Sequence, residues 1–164
     1  MAGTLVAYAT DDGSTREVAE ALAKALREAG LQADVRPARA PGDLTAYDVV
    51  VLGAPLYRGR WHRDALGFLK CHCERLANRD VAIFALGPCT PACEDGRLRC
   101  RAQLDSALRQ LAWLSPVSIA LFCSADLRAP KGAHRERCDR DAVWAWAESL
   151  AGQDDYARRG GLLS

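Results

Sequence analysis

Short apolar runs alternate with amphipathic helix patterns along this chain, and this alternation restricts the fold more than any other feature. Buried strands are predicted over residues 4–9, 47–55, 80–88 and 115–123, and residues 31–37 alternate like a strand at a sheet edge. Helical spacing of apolar residues is present after residue 14, after residue 62, around residues 104–111 and after residue 143. Near-continuous apolar strands separated by helices predict an α/β fold in which helices cover both faces of a parallel sheet.

The predicted order of elements is β-α-β-β-α-β-α-β-α, in which one crossover lacks a clear helix. Residues 37–48 include Pro41 and Gly42 and show little helical periodicity, so any helix there is predicted to be short or missing. One domain is predicted over residues 1–152, followed by a flexible tail over residues 153–164. In such sheets a ligand binds beyond the carboxyl ends of the strands, so the loops that follow the strands form the candidate site.

Composition and charge restrict the partners and the setting of the protein. The 164 residues carry a formal net charge of +1, which gives no overall attraction to nucleic acid or to an anionic membrane. The first residues lack the pattern of a signal peptide, and no apolar run approaches the roughly 20 residues that span a bilayer. Seven cysteines in a chain of this size predict mostly free thiols in a reducing cytoplasm.

The loop after the first strand is the most specific feature of the sequence. It consists of six polar or glycine residues, which are Thr10, Asp11, Asp12, Gly13, Ser14 and Thr15. The glycine permits a tight path, and the helix that follows offers unpaired N–H groups with a partial positive charge. Such a loop can hold a phosphate without lysine or arginine. The alternative is plain helix capping by Ser14, which has the capping-box spacing to Glu17.

Three other kinds of phosphate or phosphoryl-transfer site are excluded by the residues. A Walker loop ends in Gly-Lys-Ser or Gly-Lys-Thr, which this loop does not contain. A phosphorelay receiver has an aspartate at the end of its third strand, whereas the corresponding strand here ends VVVLGAP. A low-molecular-weight phosphatase has a nucleophilic cysteine in the first loop, and this loop has none.

The segment YATDDGSTREVAEALAKAL resembles the phosphate loop of flavodoxins. It is most similar to that of the flavodoxin-type, menaquinone-dependent protoporphyrinogen oxidases, whose Asp-Gly-x-Thr-Arg-Glu run is matched here from Asp12 to Glu17. Two further patterns of these oxidases are matched: Gly-Ala followed by Gly-x-aromatic-His within residues 53–62, and Phe-x-Lys-x-His-x-x-Arg-Leu over residues 68–76. The resemblance covers about the first 85 residues and then continues only in the order of the strands.

The resemblance implies a flavodoxin-like three-layer sandwich with five parallel strands in the order 2-1-3-4-5. It also implies FMN as the cofactor, with the phosphate on residues 10–15 and the flavin ring between the second and third loops. The implied FMN-binding residues in those two loops are Pro55, Leu56, Tyr57, Arg58, Gly59, Trp61, Gly87, Pro88 and Cys89. Tyr57 or Trp61 would stack on the ring, or Trp61 would instead anchor the start of the next helix in the core.

The function favoured by the resemblance is that of an FMN-binding oxidoreductase or electron-transfer protein in the cytoplasm, with an unidentified electron donor and acceptor. Arg58, Arg60, His62 and Arg63 make the rim of the second loop basic. Such a rim favours a small anionic substrate or quinone, or stabilisation of reduced flavin, over a pure electron carrier. A solvated helix end is the plain alternative. No residue is predicted to act as a catalytic acid or base, and both a monomer and a homodimer remain open.

The sequence also departs from the oxidase pattern. Those enzymes have a long aromatic and basic insertion after the last strand, whereas SADLRAPKGAHRERC is short and contains no aromatic residue. The third loop adds Cys89, Cys93 and Cys100, which could form a redox disulfide, although no CxxC pair or fourth ligand predicts a metal site. The alternative function is therefore a flavodoxin-shaped module without flavin that acts as a thiol-based redox sensor or binds a partner.

Overall fold

The computed structural model describes residues 3–10, 13–87, 94–123 and 141–152. Within these ranges the strands are β1 (Gly3–Tyr8), β2 (Ala33–Pro37), β3 (Tyr47–Tyr57), β4 (Arg60–Trp61), β5 (Asp80–Gly87) and β6 (Ser118–Cys123). The helices are α1 (Ser14–Glu28), α2 (Arg63–Cys71), α3 (Cys73–Leu76), α4 (Glu94–Leu108) and α5 (141–152). None of the helices in the described ranges is long and apolar enough to cross a membrane. The predicted tail, residues 153–164, lies outside these ranges.

The sheet has five parallel strands in the order β2-β1-β3-β5-β6. This order confirms the predicted 2-1-3-4-5 arrangement, since β4 is a short sixth strand that pairs antiparallel with the end of β3. β4 was not predicted from the sequence, where residues 55–62 were expected to form a loop. In the centre of the sheet, Val51 on β3 lies beside Val6 on β1 and Ala82 on β5.

Helices cover both faces of the sheet, as the alternating pattern predicted. On one face α1 and α5 pack against the central strands, and Leu22, Leu26 and Ala147 are buried among Val6 and Phe84. On the other face α2, α3 and α4 cover the same strands, with their buried side chains drawn from Ala65, Phe68, Leu69, Leu76, Leu104 and Leu108. The result is a three-layer sandwich with two separate cores.

The sequence pattern was right about the crossover between β2 and β3 but wrong about the length of the helix after residue 62. The crossover between β2 and β3 contains only a single 3-10 turn, Leu44–Ala46, as the lack of periodicity there indicated. The helix predicted to run from residue 62 to residue 76 is instead broken at His72, whose φ of −113° and ψ of 21° are not helical. Cys73, the first residue of α3, is only half-buried.

The ring of Phe84 on β5 lies over Gly53 on β3, where the glycine has no side chain to exclude it. A Cβ built on Gly53 would lie 1.8 Å from Cζ of Phe84, its neighbour across the two strands. The Phe84 ring also meets Phe122 and Trp146 at centroid distances of 5.9 and 6.0 Å. Phe84 thus fills the space above Gly53 and links the sheet to α5.

We expect Gly53→Ala to lower the free energy of unfolding by at least about 2 kcal/mol, because the added methyl group would overlap the Phe84 ring. Chemical denaturation measures the effect. The matched control is Gly67→Ala in α2, where a Cβ would meet nothing within 4 Å. The control should stabilise the fold by up to about 1 kcal/mol, as alanine favours helix over glycine. Equal unfolding midpoints for the two variants would contradict this account of the Gly53 contact.

Candidate functional site

The candidate site lies at the carboxyl edge of the sheet. There β1 ends at Tyr8, β3 at Tyr57 and β5 at Gly87, and these three strands are neighbours in the order β1-β3-β5. The three predicted loops therefore leave adjacent positions at one edge, as expected for a ligand site in a parallel α/β sheet. Asp11, Asp12, Pro88, Cys89 and Cys93 belong to these loops but lie outside the described residues.

The first loop turns into α1 through Gly13. Gly13 is the N-cap residue, with φ of 89° and ψ of −7°, a left-handed conformation that glycine adopts easily. Its N–H donates to Oγ1 of Thr10 at 2.8 Å, which closes the turn. The predicted capping box of Ser14 and Glu17 is wrong, because the N-cap residue is Gly13 and Ser14 is already the first helical residue. The start of α1 thus presents the positive end of the helix dipole at the ligand edge, where it favours a bound anion.

Thr15 carries the clearest sign of a ligand at this turn. Its side chain is buried, with the residue only 1% exposed, yet Oγ1 has no hydrogen-bond partner among the described residues. A buried hydroxyl without a partner costs roughly 1–3 kcal/mol, so folded proteins rarely leave one unsatisfied. An oxygen-rich anion bound at the start of α1 would supply the missing acceptor.

The second loop is a tight β-hairpin. Leu56 pairs with Trp61, and Tyr57 pairs with Arg60. Arg58 and Gly59 form the two-residue turn, with φ values of 50° and 76°. Positive φ at both positions defines the type I′ turn, which matches the twist of the two flanking strands. The hairpin fixes which side chains face outward at the ligand edge.

The structure separates the two candidate stacking residues. Trp61 is 2% exposed, and its indole N–H donates to the carbonyl oxygen of Ala54 at 3.1 Å. It therefore lies in the core, which is the second of the two roles considered for it. Tyr57 is on the opposite side of the hairpin and is 67% exposed. Of the two aromatic rings, that of Tyr57 is the one available to a ligand.

The start of the third loop is closely packed. A Cβ on Gly87 would lie 2.8 Å from Sγ of Cys100, so only glycine fits at the end of β5. Cys100 was placed in the third loop by the sequence analysis, but it is a buried residue of α4. Among the described residues no three histidine, cysteine, aspartate or glutamate side chains are grouped to hold a metal ion. Since Cys89 and Cys93 are outside the described residues, the absence of a metal site stays a prediction.

Comparison with known families agrees with the fold and with the position of these loops. The sequence profile described as “Flavodoxin domain” matches residues 5–131 of this chain. The chain belongs to this family. The match starts in β1 and extends beyond β6, so it includes all three loops at the ligand edge.

A curated relative of this flavodoxin domain is the protoporphyrinogen IX dehydrogenase (quinone) of Escherichia coli strain K12. The two sequences are 38% identical over 85 residues, which is 51% of this chain and 47% of the relative. The matched region therefore spans about half the length of the curated relative. The resemblance to protoporphyrinogen oxidases of the flavodoxin type is thereby confirmed for that part of the chain.

Solved structures show the same fold. Flavodoxin 2 from Bacillus cereus superposes with a TM-score of 0.60 at 22% identity, over 93% of this chain and 99% of that one. Rubredoxin oxygen:oxidoreductase from Desulfovibrio gigas superposes with a TM-score of 0.58 at 15% identity, over 92% of this chain and 35% of that one. At these identities the similarity establishes the flavodoxin-like sandwich and nothing finer.

FMN is the cofactor of flavodoxin domains, so the cofactor prediction is confirmed at the level of the family. The residues of this chain fit the phosphate end of that molecule. The N-terminus of α1, the left-handed Gly13 and the Thr15 hydroxyl, which has no partner among the described residues, are what a bound phosphate would use. When bound, FMN supplies the electron chemistry, and the protein supplies binding and orientation.

A small charged network, missed by the sequence analysis, lies beside the hairpin. Nε of Arg39 donates to Oδ2 of Asp64 at 2.7 Å, and the backbone N–H of Asp64 donates to Nδ1 of His62 at 3.1 Å. The Arg39 hydrogen bond holds the pKa of Asp64 below its usual value. A separation of 25 residues gave no sequence signal for the Arg39–Asp64 pair.

We expect Arg39→Gln to lower the free energy of unfolding by about 0.5–1 kcal/mol at pH 7, since the pair is partly exposed to water. Because the folded pKa of Asp64 lies below its unfolded value, the pair stabilises the fold above about pH 4. That contribution is lost as the pH falls through the folded pKa. Urea denaturation of the wild type and of Arg39→Gln at pH 7 and at pH 3 measures the change in the free energy of unfolding. Arg109→Gln, which removes the same charge elsewhere, is the control. The same loss at pH 7 and pH 3 would exclude the ion pair as its cause.

Proposed function

We propose that this flavodoxin domain is an FMN-dependent oxidoreductase that exchanges electrons with a small anionic substrate or a quinone. The observation that carries the proposal is that the buried hydroxyl of Thr15, at the N-terminus of α1, has no hydrogen-bond partner among the described residues. The phosphate would accept a hydrogen bond from this hydroxyl and would lie at the start of α1, against the rest of the loop at Thr10, Asp11, Asp12, Gly13 and Ser14. The helix dipole favours the negative charge there.

The flavin ring would lie between the second and third loops. Tyr57 would stack on the ring, because its side chain is exposed at the ligand edge and the Trp61 ring is not. Pro55, Leu56, Arg58 and Gly59 would form the same wall, while Gly87, Pro88 and Cys89 would border the other edge of the ring. Trp61 would support this wall from the core through its hydrogen bond to Ala54.

The proposed substrate class rests on the charge of the hairpin and the start of α2. Arg58, Arg60 and Arg63 are all exposed there, and the described residues show no close acidic partner for Arg58 or Arg60. A basic rim attracts a small anion and favours a negatively charged reduced flavin, whereas it would repel a basic electron-transfer partner. The name of the E. coli relative, protoporphyrinogen IX dehydrogenase (quinone), agrees with oxidation of a small molecule with a quinone as acceptor. The proposed setting is the cytoplasm.

The phosphate contact is tested with Thr15→Val. We expect its affinity for FMN to fall about tenfold, because one hydrogen bond to a charged group is lost. Its affinity for riboflavin, which lacks the phosphate, should not change. The stability of the flavin-free protein should stay the same or rise, as a methyl group replaces an unpaired buried hydroxyl. Equilibrium titration with both flavins measures the effect.

The matched control is Thr45→Val, the same chemical change at an exposed threonine in the turn before β3. This control should bind FMN like the wild type. Equal wild-type affinity for FMN and riboflavin would refute the phosphate contact. If neither flavin binds, the proposed function is wrong, and a flavodoxin-shaped module without flavin becomes the better description.

The ring contact is tested by comparing Tyr57→Ala with Trp61→Phe. Tyr57→Ala should reduce the quenching of flavin fluorescence and weaken the binding of FMN and riboflavin alike, because the stacking surface is removed. Trp61→Phe should leave quenching near the wild-type value but lower the free energy of unfolding by about 1–3 kcal/mol, since the Ala54 carbonyl loses its donor. The reverse result, with quenching dependent on Trp61 alone, would move the ring site away from Tyr57.

A further inference from the structure

Arg58 has an unusual backbone conformation for its residue type. With φ of 50° it is the only residue other than glycine that has a positive φ within the described ranges. Side chains with a Cβ resist this region, and hairpin turns of this type usually place asparagine, aspartate or glycine there. Such an outlier next to a candidate ligand site points to a function for the residue that occupies it.

The turn places the Arg58 guanidinium against the Tyr57 ring. The central carbon of the guanidinium lies 5.4 Å from the ring centroid, a cation–π contact. An arginine that covers one face of a ring leaves the other face for a second planar group. None of the ion pairs in the described part of the chain neutralises Arg58, whereas Arg39 is paired with Asp64 close by. The charge on Arg58 is therefore available to the ligand edge.

The hairpin that carries this pair is held from two sides. Trp61 anchors it to the core through the Ala54 carbonyl. On the α4 side, the Gln103 amide packs against the turn, 3.5 Å from the position that a Cβ on Gly59 would take. The turn thus has support from the core and from α4, which helps to keep Arg58 in its strained conformation.

We propose that Arg58 is a positioning residue that sets the reduction potential of the bound flavin. Held over Tyr57 by the type I′ turn, its guanidinium places a positive charge behind the ring that would face the flavin. Reduced FMN carries one more negative charge on its ring at neutral pH than oxidised FMN does, so this charge favours the reduced form. This inference rests on the proposed function, because it requires FMN beside Tyr57.

The test compares the affinities of the protein for reduced and for oxidised FMN. A binding titration gives the affinity for oxidised FMN, and redox titration of the FMN-loaded protein against a reference dye gives the ratio of the two affinities. Arg58→Gln should lower the affinity for reduced FMN relative to that for oxidised FMN by about threefold to tenfold. This is the range expected for a charge partly screened by water. Tenfold corresponds to a potential about 30 mV lower for a two-electron couple. Arg58→Lys should keep most of the effect, because the charge remains although the planar contact is lost.

Arg58→Gly separates charge from backbone strain. It should lower the affinity ratio as Arg58→Gln does, yet raise the midpoint of thermal unfolding, since glycine adopts positive φ without strain. Arg109→Gln removes the same charge from the residue just beyond the far end of α4 and should change neither quantity.

Three results would overturn the inference. An unchanged ratio in both Arg58→Gln and Arg58→Gly, with FMN still bound, would refute the role of Arg58 and leave the proposed function intact. A change in the glycine variant alone would assign the effect to the backbone and would equally refute the charge. A wild-type protein that binds no FMN would overturn the inference together with the proposed function.

Discussion

The hydrogen bond from the Trp61 indole to the Ala54 carbonyl joins the core of this domain to its ligand edge. It is 3.1 Å long and buried, and it ties the returning strand β4 to the middle of β3. Because β4 has only two residues, pairing with β3 alone would hold the hairpin weakly. With Trp61 fixed in the core, strand alternation turns Tyr57 and Arg60 to the outer side. The exposure of Tyr57 and the position of Arg58 both follow from this anchor.

The close contact between Phe84 and Gly53 has a comparable role inside the sheet. It seats the Phe84 ring over β3, where the ring also meets Phe122 and Trp146 and so joins the sheet to α5. Gly87 is packed in a similar way, because Sγ of Cys100 occupies the space that a side chain at this position would need. Two glycines near the ends of central strands therefore serve packing, whereas Gly13 and Gly59 serve backbone turns.

The fold could be predicted from the sequence because its strands are nearly continuous apolar runs. Such runs are typical of a parallel sheet that is covered by helices on both faces. The position of the first loop could be predicted as well, because an apolar strand, a polar segment and an amphipathic helix follow one another in the sequence. The sequence did not reveal the hairpin, because an Arg-Gly pair is a weak turn signal beside Asn-Gly. Nor could it place Trp61, as the same residue type suits a core anchor and a stacking surface. The unpaired hydroxyl of Thr15 needed the structure, because burial and hydrogen bonding both depend on neighbours distant in sequence.

The proposed site has two ends that differ in the source of their positive charge: a helix N-terminus at one end and arginine side chains at the other. At the proposed phosphate end, the described residues offer a helix N-terminus and a hydroxyl in place of a cationic side chain, and Arg16 beside them is paired with Glu20 in solvent. Backbone dipoles are fixed by the fold and cost no ordering of long side chains when a ligand binds. The arginines at the proposed ring end are Arg58, Arg60 and Arg63, which lie on the hairpin of Tyr57 and at the start of α2. Because a phosphate keeps its charge during electron transfer and a flavin ring does not, only charges at the ring end can distinguish the oxidised from the reduced ligand.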